Sequence, residues 1–195
     1  MGLFYANLAV YRPLRQPLLT ALRRLRRKAF VSPTIYGHTV VFDQAVDEQD
    51  TRANERFGQA ITEKLSCSAL AAALHDDDVL YLWLFEKGQI LDHYDSLPGY
   101  FDPHAEAGSP RGGDSVLLCK AFDRPDCQER VEQLLRASLL EGELPEVLGE
   151  LERHQALASE LGIPRCVAGL GYSAIASGYV PEEFRALQWE AVQPG

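Results

Sequence analysis

The stretch Val79-Leu-Tyr-Leu-Trp-Leu-Phe85 decides how this chain is read. It is apolar at every position, with Asp76-Asp-Asp78 before it and Glu86-Lys-Gly88 behind. Seven apolar residues between turn signals are too few for an ordinary helix, and their aromatic content favours a strand. A strand without a polar side has both faces covered. The residues before it, Cys67 to Leu74, are rich in alanine, which by propensity alone favours helix. Ser66 and Ser68 interrupt that propensity and three aspartates end the run, so it reads as a buried strand. Behind it, the Lys87-Gly88 turn leads into Gln89 to Tyr94, which completes a hairpin.

Working outward, Leu3 to Tyr11, Ala29 to Ser32 and Tyr36 to Asp43 read as further strands. A helix opens at Pro13 and runs to about Arg27, with Leu14, Leu18, Leu22 and Leu25 in one stripe. A second helix, from about Arg52 to Leu65, follows the acidic turn Asp47-Glu-Gln-Asp50 and carries Phe57, Ile61 and Leu65 on one face. Residues 1–96 therefore form a βαββαβββ unit. Residues 97–113, rich in glycine and proline, are a long loop. Residues 114–195 are helical. Asp114 is the expected N-cap of the first helix there, Asp126 and Glu129 have capping-box spacing for the second, and Pro145 opens a third that ends near Leu161. Cys166 to Ile175 is expected to return to the sheet as a final strand. The fold class is α+β: a mixed, mainly antiparallel sheet with helices packed on one face and a helical C-terminal third.

Charge is distributed unevenly. The 195 residues carry a net charge of −9, yet the first 42 hold seven basic side chains and no acid. Arg23, Arg24, Arg26 and Arg27 cluster at the end of the basic helix 13–28. Such asymmetry points to an electrostatic contact within the fold or with a partner. The acidic total argues against a dedicated nucleic-acid binder. None of the four cysteines forms a Cys-x-x-Cys pair, and none has zinc-finger spacing to a histidine. They read as reduced core thiols without disulfides, which fits a cytoplasmic setting. The apolar stretch Leu3 to Val10 precedes the basic cluster, the reverse of a secretory signal. No apolar run is long enough to span a membrane.

Several motifs approach known chemistry without completing it. Gly169-Leu-Gly171-Tyr-Ser-Ala174 matches the dinucleotide fingerprint literally, but the strand and acid that must follow have no room. His75-Asp-Asp-Asp78 is acidic but has neither calcium-loop spacing nor a glycine. Asp92-His-Tyr-Asp-Ser96 contains every residue type of a nucleophile triad. In a strand, however, His93 and Asp95 share one face while Asp92, Tyr94 and Ser96 share the other. His93 and Asp95, joined by His104 from the loop, remain as candidates for acid–base or metal-assisted hydrolysis. Tyr94, Tyr100 and Phe101, with Tyr81 and Trp83, concentrate aromatic surface around one hairpin and its loop, as cores and interfaces both do.

Val31-Ser-Pro33, Val41-Phe-Asp43, Asp47-Glu-Gln-Asp50, His75-Asp-Asp-Asp-Val79, Tyr94-Asp-Ser96 with Pro98-Gly-Tyr-Phe101, and Gly112-Gly-Asp114 together resemble an uncharacterised family of small bacterial proteins. Gly88 with Asp92, and Gly169-Leu-Gly171-Tyr172, fit the same pattern. The resemblance covers roughly residues 30–115 and 169–172. It implies a shared fold and draws attention to Asp47–Asp50 and Tyr94–Phe101. It supplies no catalytic roles and does not reach the arginine-rich helix.

The leading expectation is a non-catalytic, cytoplasmic protein-interaction protein of immunity or regulatory type. Arg23, Arg24, Arg26, Arg27, Tyr94, Tyr100 and Phe101 would be its contact residues, the partner another protein, and neither cofactor nor metal would be required. One alternative is a small hydrolase using His93, Asp95 and His104. Another is nucleic-acid contact through the basic helix. The sequence leaves the partner's identity and the oligomeric state open.

Overall fold

A computed structural model describes residues 2–12, 15–102, 104, 108–138 and 147–194. Eight strands form one sheet: β1 (Tyr5–Tyr11), β2 (Ala29–Val31), β3 (His38–Asp43), β4 (Ser68–His75), β5 (Val79–Glu86), β6 (Gln89–Asp95), β7 (Arg111–Gly112) and β8 (Glu190–Val192). Their spatial order is β7-β6-β5-β4-β1-β3-β2-β8, and every ladder is antiparallel. Among the described residues six α-helices accompany them: α1 (Arg15–Arg24), α2 (Thr51–Leu65), α3 (Ser115–Ala121), α4 (Gln128–Arg136), α5 (Glu150–Glu160) and α6 (Tyr172–Ala176). The architecture is α+β with a helical C-terminal third.

Strand parity divides the core into two. Ala6, Leu8 and Val10 of β1, the alanines at 69, 71 and 73 of β4, and Trp83 and Phe85 of β5 face Leu18, Leu22, Phe57 and Ile61 of α1 and α2. The opposite parity, including Leu70, Leu74, Leu80, Leu82 and Leu84, faces Leu118, Leu134 and Leu157 of the C-terminal helices. This double coverage is why β4 and β5 show no alternation. It also explains the alanines of β4: small side chains keep the sheet surface low beneath the helices. At Gly58 of α2 the approach is so close that a Cβ would lie 2.4 Å from the Phe85 ring.

Buried polar groups fasten the C-terminal layer to the sheet. Asn7 in β1 donates to the carbonyls of Val167 (2.6 Å) and Leu170 (3.0 Å). Burial pushes His154 down to about 4, and its Nδ1 shares a hydrogen bond with the Tyr5 hydroxyl at 2.7 Å. Two carboxylates cap helices distant in sequence. Asp77, in the β4–β5 turn, accepts from the Leu151 amide of α5 at 2.8 Å. Asp47 accepts from the Ser173 amide of α6 at 2.8 Å and from Ala6 at 3.3 Å. Local caps follow the sequence: Asp50 on α2 and Asp114 on α3 each accept from two amides of the first turn.

Some expectations need correction. Cys166 to Ile175 is not a strand but a 3-10 turn (Arg165–Val167) followed by α6, lying across the sheet face. The reason is visible in Asn7, which takes the carbonyls a ladder would have used. The strand that returns is β8, which pairs with β2. Asp126 does not cap α4; it lies within a preceding 3-10 turn, and Cys127 occupies the cap position. Pro13, Leu14 and Pro145 lie outside the described residues.

The Asp47–α6 contact predicts a coupled pair of mutations. A Cβ on Gly171 would lie 2.0 Å from Asp47 Oδ1. Asp47→Ala should cost about 1 kcal/mol by removing the cap, and Gly171→Ala about 2 kcal/mol by overpacking. Urea denaturation of the double variant should show a loss clearly below the sum. Additive losses would show that the two residues are independent.

Candidate functional site

On the α1/α2 side the two helices leave the far end of the sheet uncovered, and a cavity of about 510 Å³ opens there. Its floor is Ala73 and Trp83, with Tyr81 and His93 beside them. The ladder places Trp83 opposite His93 and Tyr81 opposite Asp95. The His93 ring lies nearly parallel to Tyr81 (4° between planes, centroids 6.2 Å) and 5.2 Å from Trp83. The far wall is His75 and Phe101, edge-to-face at 4.8 Å. Glu48 and Glu55, from the start of α2 and the turn before it, complete the rim. Among the described residues no lysine or arginine lines it.

The walls are held by specific contacts. Gln49 sits at φ 61° and its amide donates to the Leu74 carbonyl at 2.5 Å. With the amide nitrogen so engaged, its oxygen accepts from His75 Nδ1 at 2.8 Å, which fixes the imidazole. Tyr100 donates its hydroxyl to Asp78 at 2.9 Å and meets Phe101 edge-on at 4.9 Å. Phe101 is thus pinned at the mouth although 61% exposed. The cavity is partly apolar, bears a few convergent polar groups, and is of ordinary ligand-site size.

The structure distributes the sequence candidates unevenly. His93 lines the cavity. Asp95 shares its face but serves the turn: its carboxylate accepts from the Leu97 amide at 3.0 Å, and burial pushes its pKa up. His104 is exposed in the loop, with its amide bonded to Asp102. Among the described residues no group of three His, Cys, Asp or Glu side chains is arranged to hold a metal, so His93, Asp95 and His104 do not form a ligand set. Tyr94 is corrected: at 1% exposed it belongs to the core beneath the C-terminal helices and offers no contact surface. Tyr100 and Phe101 are at the surface. Sequence drew attention to Asp47–Asp50 and to His75 for other reasons and not to Glu55; only the tertiary fold brings Glu48, Glu55 and His75 to this hairpin. The available signal was parity: Tyr81 and Trp83 alternate with three leucines.

The arginines divide in two. Arg27 pairs with the buried carboxylate of Asp43, which also accepts from Ala45 and Val46 amides, and lies 4.8 Å over the Phe57 ring. Arg23 pairs with Glu190 of β8 at 3.0 Å. Arg15 bonds the carbonyls of Val31 and Gln188, and Arg12 pairs with Asp123. Arg24 and Arg26 are exposed. Much of the basic cluster therefore balances charge inside the fold.

An open groove of about 1180 Å³ lies by α3 and α4. Its carboxylates are Asp92, Asp114, Asp126, Glu129 and Glu132. Among the described lining residues its one cation is Arg136, engaged by Glu132 at 2.9 Å and by the Gly112 and Gly113 carbonyls. Elsewhere, the four cysteines are free thiols, Cys119 and Cys127 sharing a sulfur–sulfur hydrogen bond at 3.3 Å. Among the described residues no helix is long and apolar enough to cross a membrane. The glycine-rich fingerprint holds an anion at the α6 N-terminus, but that anion is the chain's own Asp47.

Two mutational outcomes follow. Arg27→Ala strands a carboxylate that is 1% exposed and should cost about 2–3 kcal/mol, whereas Arg24→Ala should stay within about 0.5 kcal/mol. Equal effects in chemical denaturation would contradict the division. Glu150 provides the second. Burial pushes it up to about 7, against the Arg153 guanidinium 2.9 Å away. Its folded value exceeds the ordinary glutamate value, so its contribution to stability is present at low pH and falls as pH rises toward 7. Burial lowers His38 and His154 to about 4, which gives the opposite slope. The difference between wild type and Glu150→Gln isolates the glutamate. The variant should gain about 2 kcal/mol on wild type between about pH 5 and pH 8; parallel pH profiles would remove this assignment.

Comparison with protein-family models, curated proteins and solved structures finds no match to this chain.

Proposed function

We propose that the protein is a non-catalytic binding protein, of immunity or regulatory type, that docks a basic protein partner on the acidic groove by α3 and α4. The observation that carries this reading is the way charge is used. Four N-terminal arginines are turned to the chain's own acceptors, while the groove presents five carboxylates and one engaged cation. Asp92 accepts from the Asp114 amide, and Asp114 from the Val116 and Leu117 amides. Their field adds to that of Asp126, Glu129 and Glu132, and a surface of one sign speeds capture of an oppositely charged partner. A cytoplasmic location and kinship with the small bacterial family belong to the same proposal.

The test is purification from the native host at low salt, alongside Asp126→Lys/Glu129→Lys and Arg24→Glu/Arg26→Glu. Neither pair includes a helix cap. A stoichiometric basic protein should accompany the wild type and the arginine variant. Its affinity should fall at least about tenfold in the groove variant and decline steeply with salt. A partner kept by the groove variant but lost by the arginine variant would place the contact on α1 and overturn the reading.

A further inference from the structure

We propose that the aromatic cavity between the start of α2 and strands β5–β6 receives an arginine side chain of the partner protein. The inference rests on the protein-binding reading above but concerns a different surface.

Charge narrows the occupant first. Glu48 and Glu55 stand on the rim, and among the described residues the lining includes no lysine or arginine. Tyr81, His93 and Phe101 present ring surfaces, with Trp83 (2% exposed) closing the base. Aromatic faces carry negative quadrupole potential, so rings and carboxylates both favour a cation and disfavour an anion. Size narrows it further. About 510 Å³ is far more than the roughly 30 Å³ share of one water, so a bare ion leaves the rings unsatisfied, while a long side chain fills them.

Hydrogen-bonding chemistry then selects among organic cations. A quaternary ammonium has no N–H to offer Glu48, Glu55 or the Thr51 hydroxyl. A lysine ammonium is compact and strongly hydrated and lacks a flat face. A guanidinium is planar, lies against rings, and offers a fork of donors to a carboxylate at the same time. The pinning of Phe101 supports a ready-made wall. It is held through Tyr100 and Asp78 on one side and through His75 and Gln49 on the other. Arginine is also among the residues that most often anchor interfaces in such pockets.

The experiment titrates the full chain with N-acetyl-arginine methylamide, followed by NMR. Its neutral isostere, the citrulline derivative, and tetramethylammonium serve as comparison probes. The arginine probe should bind saturably with a dissociation constant on the order of millimolar, with shift changes at Tyr81, His93 and Phe101. The citrulline probe should bind at least about tenfold more weakly, as should the arginine probe to Glu48→Gln/Glu55→Gln. Phe101→Ala, at an exposed position, should weaken binding with the fold intact. No saturation below about 50 mM, equal binding of the citrulline probe, or tighter binding of tetramethylammonium would each overturn the proposal. The two readings fail separately. A partner that leaves with the groove variant while the cavity ignores arginine defeats only this inference. Arginine held in the cavity without any loss of partner from the groove variant defeats only the groove.

Discussion

A sheet whose central strands are apolar on both sides must be covered twice, and the rest of this structure follows from that constraint. Apart from their ends and Tyr81, the residues of β1, β4 and β5 are buried on both faces, so helices are needed above and below. The first half of the chain supplies one layer locally, because α1 and α2 are connections between strands. The second layer comes from the residues between β7 and β8, joined to the sheet at its ends through those two short edge strands. A layer attached in that way needs specific fastening. It receives it from Asn7, Tyr5, Asp47 and Asp77, all in the strand-and-turn framework and all bonded to groups in the last fifty residues.

The carboxylates thereby acquire a role that composition alone does not suggest. An acidic turn such as Asp76-Asp-Asp78 would ordinarily be attributed to turn geometry, and Asp76 and Asp77 do adopt left-handed φ. Asp77 does more, holding the α5 N-terminus across the sheet. Asp47 does the same for α6, with Gly171 leaving the space the carboxylate fills. Both exploit the unsatisfied amides and positive end of a helix. The basic residues are placed comparably: Arg27 serves Asp43, and Arg23 holds β8 through Glu190. Charge left at the surface is then mostly negative, and it gathers where α3 and α4 border the sheet edge.

What the sequence made legible was whatever depends on neighbours in the chain. Val79–Phe85 reads as a doubly covered strand because its apolarity is continuous. Ser66 and Asp76 bound the alanine run, so β4 is recognisable against alanine's helix preference. Asp50 and Asp114 are caps because they precede the helices they serve. The failures are of the opposite kind. Asp126 has the spacing of a cap but lies inside a 3-10 turn. Cys166–Ile175 is as apolar as a strand but lies across one, because Asn7, about 160 residues away, claims its carbonyls. Tyr94 and Phe101 look alike as exposed aromatics in a list of residues, yet strand parity buries the first and the loop exposes the second. The candidate cavity was half visible: its hairpin aromatics stood out, whereas Glu48, Glu55 and His75 reach it only through tertiary packing.

The cavity's position is itself a product of unequal coverage. Four helices and the turns between them pack the C-terminal face, and β6 contributes Tyr94 to that core. On the other face, among the described residues, α1 and α2 are the helices available, and α2 lies over β4 and β5 where Gly58 meets Phe85. One end of β5 and β6 is left without a helix, so Tyr81 and His93 stand beside open space instead of beneath a layer. Aromatic side chains suit such a margin, being apolar enough to border a core and polar enough at one edge to meet water. The same loop that carries the chain toward the second layer passes here and lays Tyr100 and Phe101 along the gap. A binding surface at this margin therefore requires no departure from the packing rules that built the sheet. It occupies the place where two helices fall short of covering eight strands.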